Sequence, residues 1–187
     1  DLTAVTAYLA RQGWDITQRT TFGRGDATTF AREAAALGAD MVVAVGGDGT
    51  LGEVANGLAG TDTILGLLPV GTGNVWAHMV GIPVWGVKSR NALLDAAHVL
   101  VEGQIRQVDL GKVGERYFAL WLGMGFDAQV AEDVEPHREL RRSVGNVAYL
   151  VTALASSLVF HGTRITVVVD GKVLRQRAVM VVVSNAQ

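Results

Sequence analysis

A chain of 187 residues that is 49% hydrophobic carries enough apolar material to bury the core of one large or two small domains, which excludes a disordered segment. Its 16 basic and 18 acidic residues nearly cancel, so bulk electrostatics gives no ground for a nucleic-acid partner and any binding must come from local sites. Cysteine is absent, which excludes disulfide staples and thiolate zinc sites and is compatible with a reducing cytoplasm.

Residues 1–11 read as a helix with Leu2, Val5, Leu9 and Ala10 on one face, not as a secretory leader. An extended stretch begins at Ile16 and ends in the polar, glycine-containing run from Thr20 to Asp26. A second helix is predicted over 27–37, with Gly38 as its stop signal. Met41-Val42-Val43-Ala44-Val45 is then an unbroken apolar run bounded by glycine, the form of a parallel strand buried on both faces. It leads directly into Gly46-Gly47-Asp48-Gly49-Thr50, and Leu51, Val54, Ala55 and Leu58 mark a helix that begins near the threonine. A second strand, Ile64-Leu65-Gly66-Leu67-Leu68, likewise enters a glycine turn, Pro69-Val70-Gly71-Thr72-Gly73-Asn74, ahead of a short helix over 75–80. A helix over 88–102 follows. In a doubly wound sheet the carboxyl ends of the strands share one edge, so these two turns can line one crevice.

Beyond Gly103 the pattern changes to valine-rich and aromatic runs over 108–113, 117–122, 163–170 and 173–184, with Asp170-Gly171 as a two-residue hairpin signal. One helix, over 140–160, interrupts them. Its apolar part is broken by Gly145, Asn146, Thr152, Ser156 and Ser157 and falls short of the roughly 20 residues that span a bilayer, so a buried or interfacial helix is expected. The boundary is placed near Arg106, giving an α/β domain over 1–106 and a β-rich domain over 107–187.

The Gly46–Thr50 turn suits a nucleotide phosphate. Glycines admit close backbone approach, N–H groups at a helix start attract anions, and Thr50 adds a hydroxyl. Asp48 beside a triphosphate requires either a divalent cation between them or a role in accepting the proton of an attacking hydroxyl, and both belong to phosphoryl transfer. Taken alone, the turn reads equally well as an ordinary glycine turn with Asp48 capping a helix. The second turn shifts that balance, because Gly71-Thr72-Gly73-Asn74 again offers close approach, a hydroxyl and an amide at a helix start. His78, His98, His137 and His161 have no metal-ligand spacing, and Glu132-Asp133-Glu135 reads as a solvated loop. Arg138, Arg141 and Arg142 form a basic patch that would attract anionic headgroups if it did not simply begin a solvated helix. Trp76, Trp85, Phe126 and Phe160 read as core before they read as an acyl-chain groove.

GGDGTLGEVANGL at Gly46 to Leu58 and LPVGTGNVWA at Leu68 to Ala77 together resemble the paired signatures of the diacylglycerol kinase catalytic-domain family, which includes bacterial lipid kinases and is related to sphingosine kinases. The resemblance extends through TTFGRGDA at Thr20 to Ala27, VDLGKV at Val108 to Val113, GFDA at Gly125 to Ala128 and the hairpin ending at Gly171. It implies a nucleotide-binding α/β domain like those of NAD kinases and phosphofructokinases, followed by a β-sandwich-like domain. It implies ATP and magnesium as cofactors, with nucleotide contacts at Thr21, Gly46, Gly47, Asp48, Gly49, Thr50, Leu51, Gly52, Thr72, Gly73 and Asn74. Asp48 and Asp109 are the expected catalytic carboxylates, while Glu53 and Asn56 match the pattern as groups that orient the loop or react. The implied reaction is transfer of the γ-phosphate to a lipid hydroxyl such as that of diacylglycerol, by a cytoplasmic protein in peripheral contact with the membrane. Self-association is left open. The alternatives are a kinase for a soluble substrate, as in NAD kinases and phosphofructokinases, and a nucleotide-binding module without turnover. Val75 stands where many members carry Asp. The family's opening strand with its Asn-Pro turn and its acidic DGE-type motif have no counterpart in these residues, so the magnesium ligands and general base are expected beyond residue 187.

Overall fold

The computed structural model describes residues 1–85, 91–125 and 162–185. The helix expected over 140–160, the start of the one over 88–102, residues 126–128 of the GFDA stretch, the 132–135 acidic run, and Arg138, Arg141, Arg142, His137, His161, Phe126 and Phe160 lie outside the described residues. The chain divides into two compact units, one of Asp1–Leu120 with the residues from Asn185 on, the other of Trp121–Ser184.

In the first unit, helix α1 (Leu2–Arg11) starts where the Asp1 carboxylate accepts the Thr3 N–H at 2.9 Å, an N-cap that satisfies one of the orphan donors of a first turn. Residues 14–22 pair with no strand among the described residues. Helix α2 (Asp26–Ala36) ends before Gly38, which takes the positive φ of +80° that a helix stop requires. Strand β1 (Met41–Gly46) and strand β2 (Ile64–Pro69) pair in parallel from Met41↔Ile64 to Gly46↔Pro69. Between them lies helix α3 (Asp48–Leu58), and β2 leads into helix α4 (Val75–Val80). Helix α5 (Ala92–Glu102) follows.

The apolar runs of β1 and β2 are continuous because helices cover both faces of the pair, although Val45 of β1 stays 40% exposed, short of the full burial expected for it. Val42, Ala44, Leu65 and Leu67 point to one side, against Ala27 and Ala31 of α2, Leu51, Val54 and Leu58 of α3, and Ala77 of α4. Val43 and Leu68 point to the other, against Val5 and Leu9 of α1 and Ala96, Ala97 and Leu100 of α5. This alternation is the period of two of a strand, and each fully buried aliphatic side chain contributes about 1.5–3 kcal/mol. Leu51 and Val5 are the largest side chains wholly inside. The small residues of α2 let α3 come close: a Cβ on Gly57 would stand 2.5 Å from the Thr28 carbonyl oxygen and 2.7 Å from the Ala31 Cβ.

Strands β3 (Gly111–Val113) and β4 (Arg116–Phe118) form a short antiparallel hairpin that also belongs to the first unit. The composition shift near Arg106 and the division of packing after Leu120 are therefore separate landmarks. The run read as one strand over 117–122 is two, because the chain changes partner: β4 pairs with β3, whereas β5 (Trp121–Gly125) pairs with β8 (Met180–Ser184) in the second unit. There, β6 (Thr163–Val169) and β7 (Lys172–Ala178) form the hairpin announced by Asp170-Gly171, with φ values of 49° and 78° at the two turn residues. The run over 173–184 is likewise broken, at Val179, where pairing with β6 ends and pairing with β5 begins. The architecture is α/β followed by a β-rich unit. No helix among the described residues is long and apolar enough to cross a membrane.

Candidate active site

The parallel register places Gly46 opposite Pro69, so the turns that follow β1 and β2 leave the sheet at the same level, and the Val70 N–H closes the edge on the Gly46 carbonyl at 3.0 Å. The turns then touch through their glycines. A Cβ on Gly47 would lie 3.1 Å from the Gly71 Cα, and one on Gly71 would overlap the Gly47 Cα and lie 2.8 Å from Asn74 Oδ1. A Cβ on Gly46 would overlap Thr50. Gly47 and Gly71 are required by the approach of main chain to main chain and Gly46 by the Thr50 side chain, none of them by a special φ.

The two helix starts differ. No side chain caps α3, whose N-cap residue is Gly47, so the N–H groups of its first turn, Asp48-Gly49-Thr50, have no side-chain acceptor and stand at the positive end of the helix dipole. Gly49 is exposed and a Cβ there would meet nothing within 4 Å. At α4 the first two N–H groups are already taken: Val75 donates to Asp48 Oδ2 and Trp76 to Asp48 Oδ1, each at 3.0 Å. Asn74, the residue in the N-cap position, does not cap. It takes the left-handed conformation, φ 47° and ψ 43°, and turns its amide back on its own loop, with Oδ1 accepting from the Gly71 N–H at 3.0 Å and Nδ2 donating to the Gly71 carbonyl at 2.8 Å. It is 3% exposed, so its side chain shapes the turn from inside. Thr72 and Gly73 are exposed beside it.

Leu51, part of the expected nucleotide contact, sends its side chain into the core at 2% exposure and spends its N–H on the Gly47 carbonyl at 3.0 Å, while the Gly52 carbonyl accepts from Asn56 Nδ2. Thr21 lies exposed in the loop before α2. That loop is fixed at two points. The Phe22 and Gly23 N–H groups donate to Asp26 Oδ2 at 2.7 and 2.9 Å, and these two bonds, Phe22 first, hold the Asp26 carboxyl below its ordinary pKa. The Gly25 N–H donates to Glu53 Oε1 at 3.0 Å, and Thr28 Oγ1 donates to the Glu53 carbonyl at 2.9 Å. Asn56 holds β4 from the same helix face. Glu53 and Asn56 thus orient neighbouring segments. Between loop, helix and hairpin opens a cleft of about 360 Å³ lined by Arg24, Gly25, Glu53, Asn56 and Arg116 among others, a polar feature that the sequence reading missed because its residues come from three separated segments.

Asp109 is exposed and engaged through its main chain, its carbonyl accepting from Asn185 Nδ2 at 2.6 Å. Among the described residues no hydrogen bond joins it to Asp48. Those residues also hold no group of three or more His, Asp or Glu able to grip a metal ion. His98 packs against Tyr8, its Nδ1 and the phenol oxygen hydrogen-bonded at 2.8 Å, and His78 is an exposed residue of α4.

Comparison with known proteins agrees along the whole chain. The model of the diacylglycerol kinase catalytic domain matches residues 1–113, and that of the YegS C-terminal NAD kinase beta sandwich-like domain matches residues 121–187. A diacylglycerol kinase of Bacillus subtilis (strain 168) is 33% identical over 98% of this chain and 58% of its own length. A probable lipid kinase, YegS-like, of Pseudomonas syringae pv. tomato is 36% identical over 86% of this chain and 50% of its own. A crystal structure of a diacylglycerol kinase from Bacillus anthracis str. Sterne superimposes with a TM-score of 0.71 at 28% identity, covering 99% of this chain and 58% of that one. The chain therefore spans between half and three fifths of the length of these relatives. With the paired glycine turns in place and the catalytic-domain model covering 113 of 187 residues, the chain belongs to the diacylglycerol kinase catalytic-domain family.

Proposed function

We propose that this chain is the nucleotide-binding part of an ATP-dependent lipid kinase, in which the acceptor hydroxyl of a lipid such as diacylglycerol takes the γ-phosphate. The uncapped start of α3 carries the reading: the first-turn N–H groups of Asp48, Gly49 and Thr50 without a side-chain cap, beside an exposed Gly49 and a second glycine turn, suit phosphate oxygens. The cleft at Arg24, Glu53 and Arg116 suits the nucleoside end of the same ligand. Glu53 follows Gly49 by four residues on α3, about 6 Å at 1.5 Å per residue, the distance over which a bound nucleotide passes from phosphate to sugar. Magnesium would accompany the triphosphate and offset its charge, with its protein ligands expected beyond residue 187.

In the reaction the lipid hydroxyl oxygen forms a bond to the γ-phosphorus as the bond from that phosphorus to the ADP oxygen breaks, and the hydroxyl proton is given up to a base. The first unit contributes positioning, which for a loose phosphoryl-transfer transition state is most of the catalysis. A membrane-embedded acceptor requires peripheral contact of the protein with the bilayer, in the cytoplasm where ATP is plentiful.

The test is transfer of radiolabelled phosphate from ATP with magnesium to detergent-dispersed diacylglycerol, sphingoid base and phosphatidylglycerol, with NAD and a sugar phosphate as soluble controls. It is run on the longest product of the gene and on the 187 residues in parallel. Label in a lipid supports the proposal. Label only in a soluble control replaces it with a soluble-substrate kinase, and ATP binding without transfer to any acceptor replaces it with a nucleotide-binding module.

A further inference from the structure

The start of α4 is capped by a residue of another helix. Asn74 sits where an N-cap belongs but spends its amide on Gly71. Val75 brings no carboxylate, and the first turn of α4 holds no acidic residue at all. The N–H groups of Val75 and Trp76 find their acceptors in Asp48, which precedes them by 27 and 28 residues and lies in the first glycine turn. Gly73 lies against the same carboxylate, a Cβ there standing 3.4 Å from Asp48 Oδ2, and Gly47 rests on Gly71 just behind. Both oxygens of Asp48 are thus committed to the second turn, one to each N–H.

We propose that Asp48 is a positioning residue: its carboxylate holds the start of α4, and with it the Gly71–Asn74 turn, against the Gly46–Thr50 turn, so that the two turns make a single phosphate cradle. The inference deepens the nucleotide-kinase reading and rests on it for its functional part. Asp48 acts through Val75 and Trp76. Losing it releases Thr72 and Gly73 from their place beside α3 while leaving the α3 donors intact. A carboxylate is suited to this task because it offers two acceptors and charge to two adjacent N–H donors at the positive end of a helix.

The experiment is amide hydrogen exchange on the nucleotide-free chain, paired with ATP affinity, for wild type, Asp48→Ala and Asp48→Asn. In Asp48→Ala, protection at Val75 and Trp76 falls by at least about tenfold, the loss expected for a hydrogen bond to a charged acceptor, while Ala55 and Leu58 within α3 keep theirs. Asp48→Asn retains one acceptor, so one of the two amides loses protection and ATP affinity falls between those of wild type and Asp48→Ala. If Asp48→Ala does not fold, the one-amide loss in Asp48→Asn decides. Wild-type protection of both amides in the variants overturns the proposal. So does a pair of variants equally dead in turnover with wild-type exchange and wild-type ATP affinity, which would put the carboxylate in the chemistry. A wild type that binds no ATP would sink the kinase reading but leave the exchange result standing, so the two failures are distinguishable.

Discussion

Asn56 holds Tyr117 by both of its main-chain polar groups: Nδ2 donates to the Tyr117 carbonyl and Oδ1 accepts the Tyr117 N–H, each at 2.8 Å, while Nδ2 also reaches the Gly52 carbonyl of its own helix at 2.7 Å. A side-chain amide here does what a neighbouring strand would do for β4. Asn56→Ala strands both groups of Tyr117 in a half-buried setting, for a cost of about 2–3 kcal/mol. The expected outcome is a urea midpoint lowered to match, with faster amide exchange across β3 and β4. Asn56→Asp keeps the acceptor only and should fall between.

Gly49 and Gly71 separate binding from stability. Gly49→Ala places a methyl group in open space within a helix, so stability is unchanged or rises by up to about 1 kcal/mol, while ATP affinity drops because the methyl occupies the phosphate approach. Gly71→Ala drives a Cβ into Gly47 and costs about 1–3 kcal/mol as overpacking, and it weakens ATP binding as well. Calorimetric ATP titration beside thermal unfolding checks both. Unaltered ATP affinity in Gly49→Ala would remove the phosphates from the start of α3.

How much of this could be read from the sequence follows from how local each signal is. The strand, glycine turn and helix of Met41 to Leu58 were legible because a period of two, a glycine stop and a period near four follow one another without interruption. The second turn was legible for the same reason. The partners of the polar side chains were not, because Glu53 answers Gly25, Asp48 answers Val75, and Asn56 answers Tyr117 across 28, 27 and 61 residues, and nothing in composition states such pairings. The run over 117–122 shows the converse limit. Its β character is uniform, and only pairing reveals that Tyr117 and Leu122 belong to different sheets.

Asp26 predicts a signature in acid. Its carboxyl is held below the ordinary value of 3.8 by the Phe22 and Gly23 N–H groups, so it contributes stability that is fully present above that value and is lost as the pH falls through the lower folded-state value. Asp26→Asn should remove this component. The gap in urea midpoint between wild type and variant is then widest above pH 3.8 and closes on further acidification. A gap independent of pH would mean that the carboxylate charge is not what fixes the loop.

Gly57 tests the seam between α2 and α3. A methyl group there would collide with the Thr28 carbonyl and the Ala31 Cβ, neither of which can swing aside. Gly57→Ala should therefore destabilise by about 1–3 kcal/mol despite its gain in helix propensity. That corresponds to a melting temperature lower by roughly 2–4 °C per kcal/mol for a chain of this size. A melting temperature equal to wild type would mean that the two helices are less tightly apposed.

The main chain leaves the first unit after Leu120 and rejoins it at Asn185, and these two residues are hydrogen-bonded, the Asn185 N–H to the Leu120 carbonyl at 2.7 Å. The Asn185 side chain adds a bond to the Ala119 carbonyl at 3.1 Å beside the one to Asp109. Exit and return are thus a single doorway. A segment whose two ends meet can be lifted out, lengthened or exchanged without dragging on its host. The seam between Leu120 and Asn185 is accordingly the place to cut when the two glycine turns are to be studied apart from the strands of Trp121–Ser184.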